Sequence, residues 1–74
     1  MDSLSAIRSN VVRLERYCRR AKDKVWAADR RSLFDALADI AEVGEITRRV
    51  RAQLVEHLQQ QHPDAKLPVT REKN

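Results

Sequence analysis

Glycine, cysteine and aromatic residues are all scarce in this sequence of 74 residues, and each scarcity excludes a class of protein. With a single cysteine the chain forms no internal disulfide, so a disulfide-stapled scaffold is excluded. The single glycine leaves no glycine-rich loop that could cradle a nucleotide phosphate. Three aromatic residues are too few for the stacking platforms that bind single-stranded nucleic acids.

Long apolar runs are missing as well. No run approaches the roughly 20 residues that a helix needs to cross a bilayer. The opening stretch, MDSLSAIRSN, lacks both the basic start and the apolar block of a secretory signal peptide. We therefore expect a soluble, cytoplasmic protein that does not act at a membrane.

The residue types that catalysis and metal binding need are present but poorly spaced. His57 and His62 are five residues apart, which places them on different faces of a helix. No second cysteine and no Glu-x-x-His pair accompanies them, so the sequence predicts no metal site and no cofactor. Cys18 lies in an apolar repeat, which favours a buried structural thiol over a reactive one. We expect a protein that is not an enzyme.

Apolar residues in the first half of the chain recur at alternating steps of three and four, which is typical of helices that pack as in a coiled coil. They are Leu4, Ile7, Val11, Leu14, Cys18, Ala21, Val25 and Ala28. A second repeat of this kind is out of step with the first. It comprises Leu33, Ala36, Ile40, Val43, Thr47, Val50, Leu54 and His57, with Leu37, Ile46 and Leu58 beside it. The sequence therefore predicts an all-α fold, a helical hairpin of two long amphipathic helices over residues 1–61.

Local signals indicate where these helices begin and bend. The change of register predicts a turn at residues 28–31, although no glycine or proline marks it, and one continuous helix is the alternative. Ser32 is the favoured amino-terminal cap of the second helix because Asp35 follows it in the spacing of a capping box. Asp29 is the alternative cap. Gly44 lies inside the second helical pattern and could hinge or split that helix near residues 43–46.

The carboxyl end and the small size of the chain bear on order and association. Proline disfavours a helical conformation in the residue before it, so the second helix should end before Pro63. Residues 62–74 then form a flexible tail, with KLPVTR as an alternative docking segment. A chain of 74 residues builds only a marginal core, so we expect two hairpins to dimerise into a helical bundle.

The net charge of +4 is concentrated in the first helix. Residues 2–28 hold seven cations and three acids, which give +4. The candidate partner-binding residues, for an acidic protein surface or for phosphate, are Arg13, Arg16, Arg19, Arg20, Lys24 and Trp26. The first repeat places the four arginines among them away from the second helix, where a solvated face is the alternative interpretation. Acids of the second helix offer only a partial internal complement, with Arg20 level with Asp39 and Lys24 level with Asp35.

Trp26 itself has two interpretations. It lies just before the predicted turn and Phe34 just after it, so the two rings are expected to cover one another at the end of the hairpin. Alternatively, Trp26 is an exposed anchor, since tryptophan often carries a large share of the binding energy at protein interfaces.

The stretch LADIAEVGEITRRVRAQL, residues 37–54, resembles a helix-turn-helix motif. The resemblance is carried by Ile40, Ala41, Gly44 and Val50, which match the end of one helix, the turn and the buried position of the next. Two features depart from the pattern: the step from Ala41 to Gly44 is one residue short, and Glu45 occupies a position that is usually apolar. The resemblance implies a second helix that reads the major groove of DNA with Arg48, Arg49 and Arg51.

Together these patterns favour a small regulatory or adaptor protein that acts by protein–protein interaction. Its contact surface would be the arginine-rich outer face of the first helix, and self-association is expected. The alternative is a DNA-binding regulator, which would use either the basic helix face or the degenerate helix-turn-helix at residues 37–54.

Overall fold

The computed structural model describes residues 3–66 and shows two α-helices that pack against each other as a hairpin. Helix α1 covers Ser3–Ala27 and helix α2 covers Arg30–Gln61. The predicted all-α hairpin is confirmed, and the alternative of one continuous helix is wrong. The Cα trace measures 50 × 35 × 14 Å, so in its thinnest direction the molecule is about one helix deep.

The turn between the helices consists of Ala28 and Asp29. Ala28 has a φ angle of 63°, in the left-handed region, and its N–H donates to the carbonyl of Lys24 at 3.2 Å. This hydrogen bond closes the last turn of α1. A glycine usually fills such a position, because a Cβ crowds the following carbonyl oxygen there. With alanine in its place, only the change of heptad register marks this turn in the sequence.

Replacing Ala28 with glycine is expected to stabilise the protein by about 1 kcal/mol, because the left-handed conformation costs an L-residue roughly 1–2 kcal/mol. Thermal unfolding followed by circular dichroism should show a rise in Tm of roughly 4–8 °C. Ala38→Gly, inside α2, is the control and should lower stability by about 1 kcal/mol. A lower Tm in both variants would contradict the left-handed conformation of Ala28.

Asp29, not Ser32, caps α2. The Asp29 carboxylate accepts a hydrogen bond from the Ser32 N–H at 2.8 Å and another from the Ser32 hydroxyl at 2.9 Å. Of the two caps that the sequence allowed, the favoured one is wrong and the alternative is correct. The helix begins at Arg30, so Ser32 is already in the first turn and donates to the cap instead of serving as it.

The hydrogen bond from the Ser32 N–H lowers the pKa of the Asp29 carboxyl below its ordinary value of 3.8, and the bond from the Ser32 hydroxyl lowers it further by a smaller amount. In the unfolded chain the Asp29 carboxyl has its ordinary pKa. The ionised cap therefore stabilises the folded protein at pH values above that pKa, and this stabilisation is lost as the pH falls through the lower pKa of the folded state. We therefore expect Tm to fall more steeply below about pH 4 in the wild type than in Asp29→Asn, whose amide caps without titrating. Acid titration of Tm by circular dichroism tests this, and equal slopes for the two proteins would contradict it.

The contact between the helices follows a heptad that is rotated from the predicted one. On α1 the predicted Ile7, Leu14 and Ala21 are buried or half-buried, but the alternating contact positions are Asn10, Tyr17 and Lys24 instead of Val11, Cys18 and Val25. On α2 Ala36, Val43 and Val50 are kept, and Asp39, Ile46 and Gln53 replace Ile40, Thr47 and Leu54. On both helices, every second predicted contact position is therefore wrong, and the observed position is the residue just before it.

Polar pairs between the helices explain this rotation. The Asn10 amide donates to Oε1 of Gln53 at 2.9 Å, and the Ser3 hydroxyl lies 2.6 Å from Nδ1 of His57. Near the turn, the Lys24 ammonium lies 2.7 Å from Asp39. Each of these polar groups meets its partner in only one register, because a slip along the helix would separate the two.

Helix α2 is continuous through Gly44, so the hinge or split predicted at residues 43–46 is wrong. Gly44 is exposed, and a Cβ there would meet nothing within 4 Å, so the hairpin itself does not require a glycine. At the other end, the His62 N–H donates to the Leu58 carbonyl at 2.7 Å and closes the helix before Pro63, as predicted. Residues 67–74, which hold most of the predicted tail and of KLPVTR, lie outside the described residues.

Candidate interaction surfaces

The basic residues singled out on α1 do not form one outward surface. Arg13 pairs with Glu42 at 3.6 Å, while Arg20 and Lys24 lie 3.8 and 2.7 Å from the carboxylate of Asp39. The prediction that Arg13 and Arg20 point away from α2 is wrong, because the rotated register brings them, together with Lys24, to the edge of the contact. Arg20 pairs with Asp39, the residue predicted to lie level with it. Lys24 also pairs with Asp39 and not with the predicted Asp35.

Asp39 is the centre of this ion-paired edge. It is 4% exposed, the one buried charged residue in the described part of the chain. The Lys24 ammonium is at ion-pair distance from Oδ2 but off the direction that a hydrogen bond requires, so Oδ2 has a charge partner and no hydrogen-bond donor. We regard the ion pair as the governing interaction, because attraction between charges at this distance depends little on angle.

The outward-facing part of the predicted surface consists of Arg16, Arg19 and Trp26. Arg16 is exposed and has no ion pair within residues 3–66. Arg19 lies 3.9 Å from Glu15 one turn away, with both side chains about 70% exposed to solvent (74% and 69%), so this pair adds little stability. Both guanidinium groups are exposed to solvent and therefore accessible to a carboxylate or a phosphate.

The two aromatic rings at the turn do not bury each other. Trp26 is 75% exposed and Phe34 is 63% exposed, which contradicts the expectation that they cover one another. The Lys22 ammonium lies 5.9 Å from the centroid of the Trp26 ring, within range of a cation–π contact. Of the two interpretations of Trp26, the exposed one fits this geometry.

The helix-turn-helix resemblance has no counterpart in the fold. A recognition helix needs a turn before it, but α2 passes through Gly44 without interruption. Arg48, Arg49 and Arg51 are all exposed on one continuous helix, where successive residues point about 100° apart. The turn that the resemblance implies near Gly44 is therefore not formed, and residues 37–54 belong to one helix.

One side of the hairpin is lined by exposed apolar side chains, a surface that the predicted register does not contain. On α1 the exposed members recur every seven residues. In an antiparallel pair the same flank of each helix lies on the same side of the hairpin, so members from α2 join them. We call this surface the apolar face; it comprises Leu4, Val11, Cys18 and Val25 on α1 and Leu33, Leu37, Ile40, Gly44, Thr47 and Leu54 on α2.

The two sides of the hairpin differ sharply in chemistry. The pairs of Arg13 with Glu42 and of Arg20 with Asp39 lie on the side opposite the apolar face. On the apolar face itself, seven large side chains are between 36% and 65% exposed, with Leu37 the most exposed of them. Arg51 lies in the same row of α2 residues, between Gly44 and Leu54.

Cys18 belongs to the apolar face and is exposed, so the predicted buried thiol is wrong. The error has the same origin as the error in register, since Cys18 belongs to the half of the predicted repeat that faces away from α2. Neither of the two described helices combines the length and the apolar character that spanning a bilayer requires.

No protein-family model matches the chain, and no curated protein and no solved structure is detectably similar to it.

Proposed function

We propose that this chain is a protein–protein interaction module, a small regulatory or adaptor protein without a catalytic role, and that the apolar face is its principal binding surface. The observation that supports this most directly is the row of seven large apolar side chains on one side of the hairpin. Soluble monomers rarely leave a continuous apolar patch of this kind in water, and such patches commonly mark binding sites.

The exposed cations of α1 supply a second, electrostatic contribution. Arg16 and Arg19 point away from both the hairpin contact and the apolar face, with Trp26 on the same outward side. An acidic protein surface can pair bidentately with their guanidinium groups while the apolar face is already covered. Arg13, Arg20 and Lys24 contribute less to such binding, because their charges are engaged by carboxylates of α2.

A cytoplasmic location forms part of this proposal. Cys18 is exposed and unpaired, and an exposed free thiol persists best in a reducing compartment.

Site-specific photo-crosslinking in cells that produce the protein tests the apolar face. A photoreactive phenylalanine analogue at position 37 should yield discrete protein adducts, because Leu37 is the most exposed member of the face. The same group at position 41 should yield few, because Ala41 is exposed on the outward side of the same helix. Equal yields at the two positions, or no adduct from any member of the face, would rule out this surface.

Nucleic-acid backbone binding is the second candidate function, because the exposed Arg16, Arg48, Arg49 and Arg51 accompany a net charge of +4. Fluorescence anisotropy of a labelled DNA duplex at low and at physiological salt tests it. Contacts to phosphate would give an affinity that falls steeply with salt, and Arg16→Ala would reduce that slope by about 1. Arg13→Ala, which removes an internally paired cation, is the control. Absence of binding at low salt would eliminate this candidate.

A further inference from the structure

Each helix directs apolar side chains towards two sides at once. On α1, Ile7, Leu14 and Ala21 contact α2, while members of the apolar face follow four positions later, about 40° further round the helix. Because successive residues point about 100° apart, the apolar arc of α1 is centred between α2 and the apolar face. Helix α2 repeats this arrangement with Ala36, Val43 and Val50 against α1 and with Leu33 and Ile40 on the apolar face.

An arc of this width fits a helix with two neighbours. In a two-helix hairpin each helix has one neighbour, and a narrow apolar stripe is enough. In a four-helix bundle each helix has two neighbours, and its apolar arc points towards the bundle axis between them. Both helices of this hairpin carry the wide apolar arc of a bundle helix, and both arcs extend towards the apolar face.

We propose that a second copy of this chain covers the apolar face, so that two hairpins stack face to face as a symmetric four-helix bundle. The inference rests on the proposed function and names the partner of that same face. Only four apolar residues are buried in the described hairpin, namely Ile7, Ala21, Ala36 and Ile46. A core this small is marginal for a single layer of helices, and association with another chain is the usual remedy at this size.

The size of the face agrees with a stable dimer. Helix α1 has 25 residues and is therefore about 37 Å long, and two helices side by side are roughly 20 Å wide. Covering that side buries roughly 700 Å² on each partner, close to the roughly 800 Å² per partner of standard specific interfaces.

The chemistry of the face is complementary to itself, as a two-fold interface requires. Its members are apolar or small along the whole length of α1. The apolar side chains of each copy would therefore pack against apolar side chains of the other. Gly44 lies near the middle of the α2 row, where the missing side chain allows a second backbone to approach closely. Stacking on this side also keeps the two copies' Arg13, Arg20 and Lys24 apart, because these cations pair with carboxylates away from the apolar face.

Two matched pairs of variants test the proposal by sedimentation equilibrium and light scattering. Ile40→Lys and Val11→Gln change the apolar face, whereas Ala41→Lys and Val12→Gln make the same new residue one position away, on the outward side. The wild type and the outward variants should be dimers. The face variants should raise the dimer dissociation constant by about 100-fold or more, because symmetry places each substitution in the interface twice.

Cys18 provides a readout that does not depend on any variant. Its thiol is exposed in one hairpin and covered in the proposed dimer. Reaction with an aromatic disulfide reagent should therefore slow by about tenfold or more as the wild-type concentration rises through the dissociation constant. If a face variant proves unfolded by circular dichroism, this concentration dependence in the wild type still decides the question.

A wild type that stays monomeric at millimolar concentration would overturn the proposal. So would a dimer in which Cys18 reacts as fast as in the monomer, or outward variants that dissociate as readily as face variants. The photo-crosslinking at position 37 separates this failure from failure of the proposed function. Adducts of a mass other than twice that of the chain would retain the interaction module and reject the second copy as its partner.

Discussion

Ile46→Ala is expected to lower the free energy of unfolding by about 3 kcal/mol, within the roughly 2–5 kcal/mol that such truncations cost in protein cores. Ile46 is 1% exposed and is the largest fully buried side chain in the described hairpin. Its removal leaves a cavity where α1 and α2 meet, and the small residues Ala21 and Ala36 elsewhere in the contact offer little to fill it. For a chain of this size a loss of about 3 kcal/mol lowers Tm by roughly 12–24 °C.

Two further variants show whether burial causes the loss. Ile46→Val removes one methylene and should cost about 1 kcal/mol. Val12→Ala removes two carbon atoms from a side chain that is 52% exposed on the outward side, and it should stay within about 0.5 kcal/mol of the wild type. Urea unfolding at one fixed protein concentration compares all three. Equal losses for Ile46→Ala and Val12→Ala would contradict the placement of Ile46 in the contact.

The sequence was sufficient to predict the elements of this fold. An apolar arc with a helical period identifies a helix whatever it packs against, and the change of heptad phase after Ala28 separates α1 from α2. Pro63 marks the end of α2 because a proline there acts on the backbone locally. Each of these signals depends on neighbours in the chain, so a single sequence contains it.

The register of the contact could not be predicted in the same way. The apolar arc of each helix is wider than the contact with one neighbouring helix, so the sequence does not say which edge of the arc faces that neighbour. Either Asn10 or Val11 could therefore occupy the same position in the contact. The choice is made by polar partners distant in sequence, as when Asn10 bonds Gln53, 43 residues away. The predicted repeat takes the apolar residue at each position. It therefore places Val11, Cys18 and Val25 in the contact and does not predict the apolar face.

The same error explains the fate of the basic stripe. Once the heptad is rotated, Arg13, Arg20 and Lys24 move to the ion-paired edge, and only Arg16 and Arg19 remain fully outward. In the predicted register, the acids of α2 lie only partly opposite these cations. Charge pairs between the helices and apolar contacts are therefore both satisfied only in the observed register.

Lys24→Met is expected to destabilise the protein by about 2–3 kcal/mol and to lower Tm by roughly 10–20 °C. The substitution keeps the length of the side chain but removes the ammonium that lies 2.7 Å from Oδ2 of Asp39. A carboxylate that is 4% exposed is then left with Arg20 at 3.8 Å, and burying a charge without a close partner is costly. Arg20 can move closer, which keeps the loss below the larger values known for fully buried pairs.

Lys22→Met is the matched control. Lys22 is exposed two residues before Lys24, and its cation–π contact with Trp26 at 5.9 Å contributes at most about 1 kcal/mol at such a site. Chemical denaturation of both variants at the same protein concentration gives the comparison. A loss for Lys24→Met no larger than that for Lys22→Met would show that Asp39 does not depend on Lys24.

The double variant Lys24→Met/Asp39→Leu separates stability from specificity. With both charges replaced by apolar side chains, no buried group lacks a partner, so the free energy of unfolding should return to within about 1 kcal/mol of the wild type. Recovery would mean that the pair's main effect is to fix which residues of α1 and α2 face one another, since an unpaired Asp39 penalises every other register. A double variant as unstable as Lys24→Met would instead mean that the ion pair contributes net stability to the hairpin.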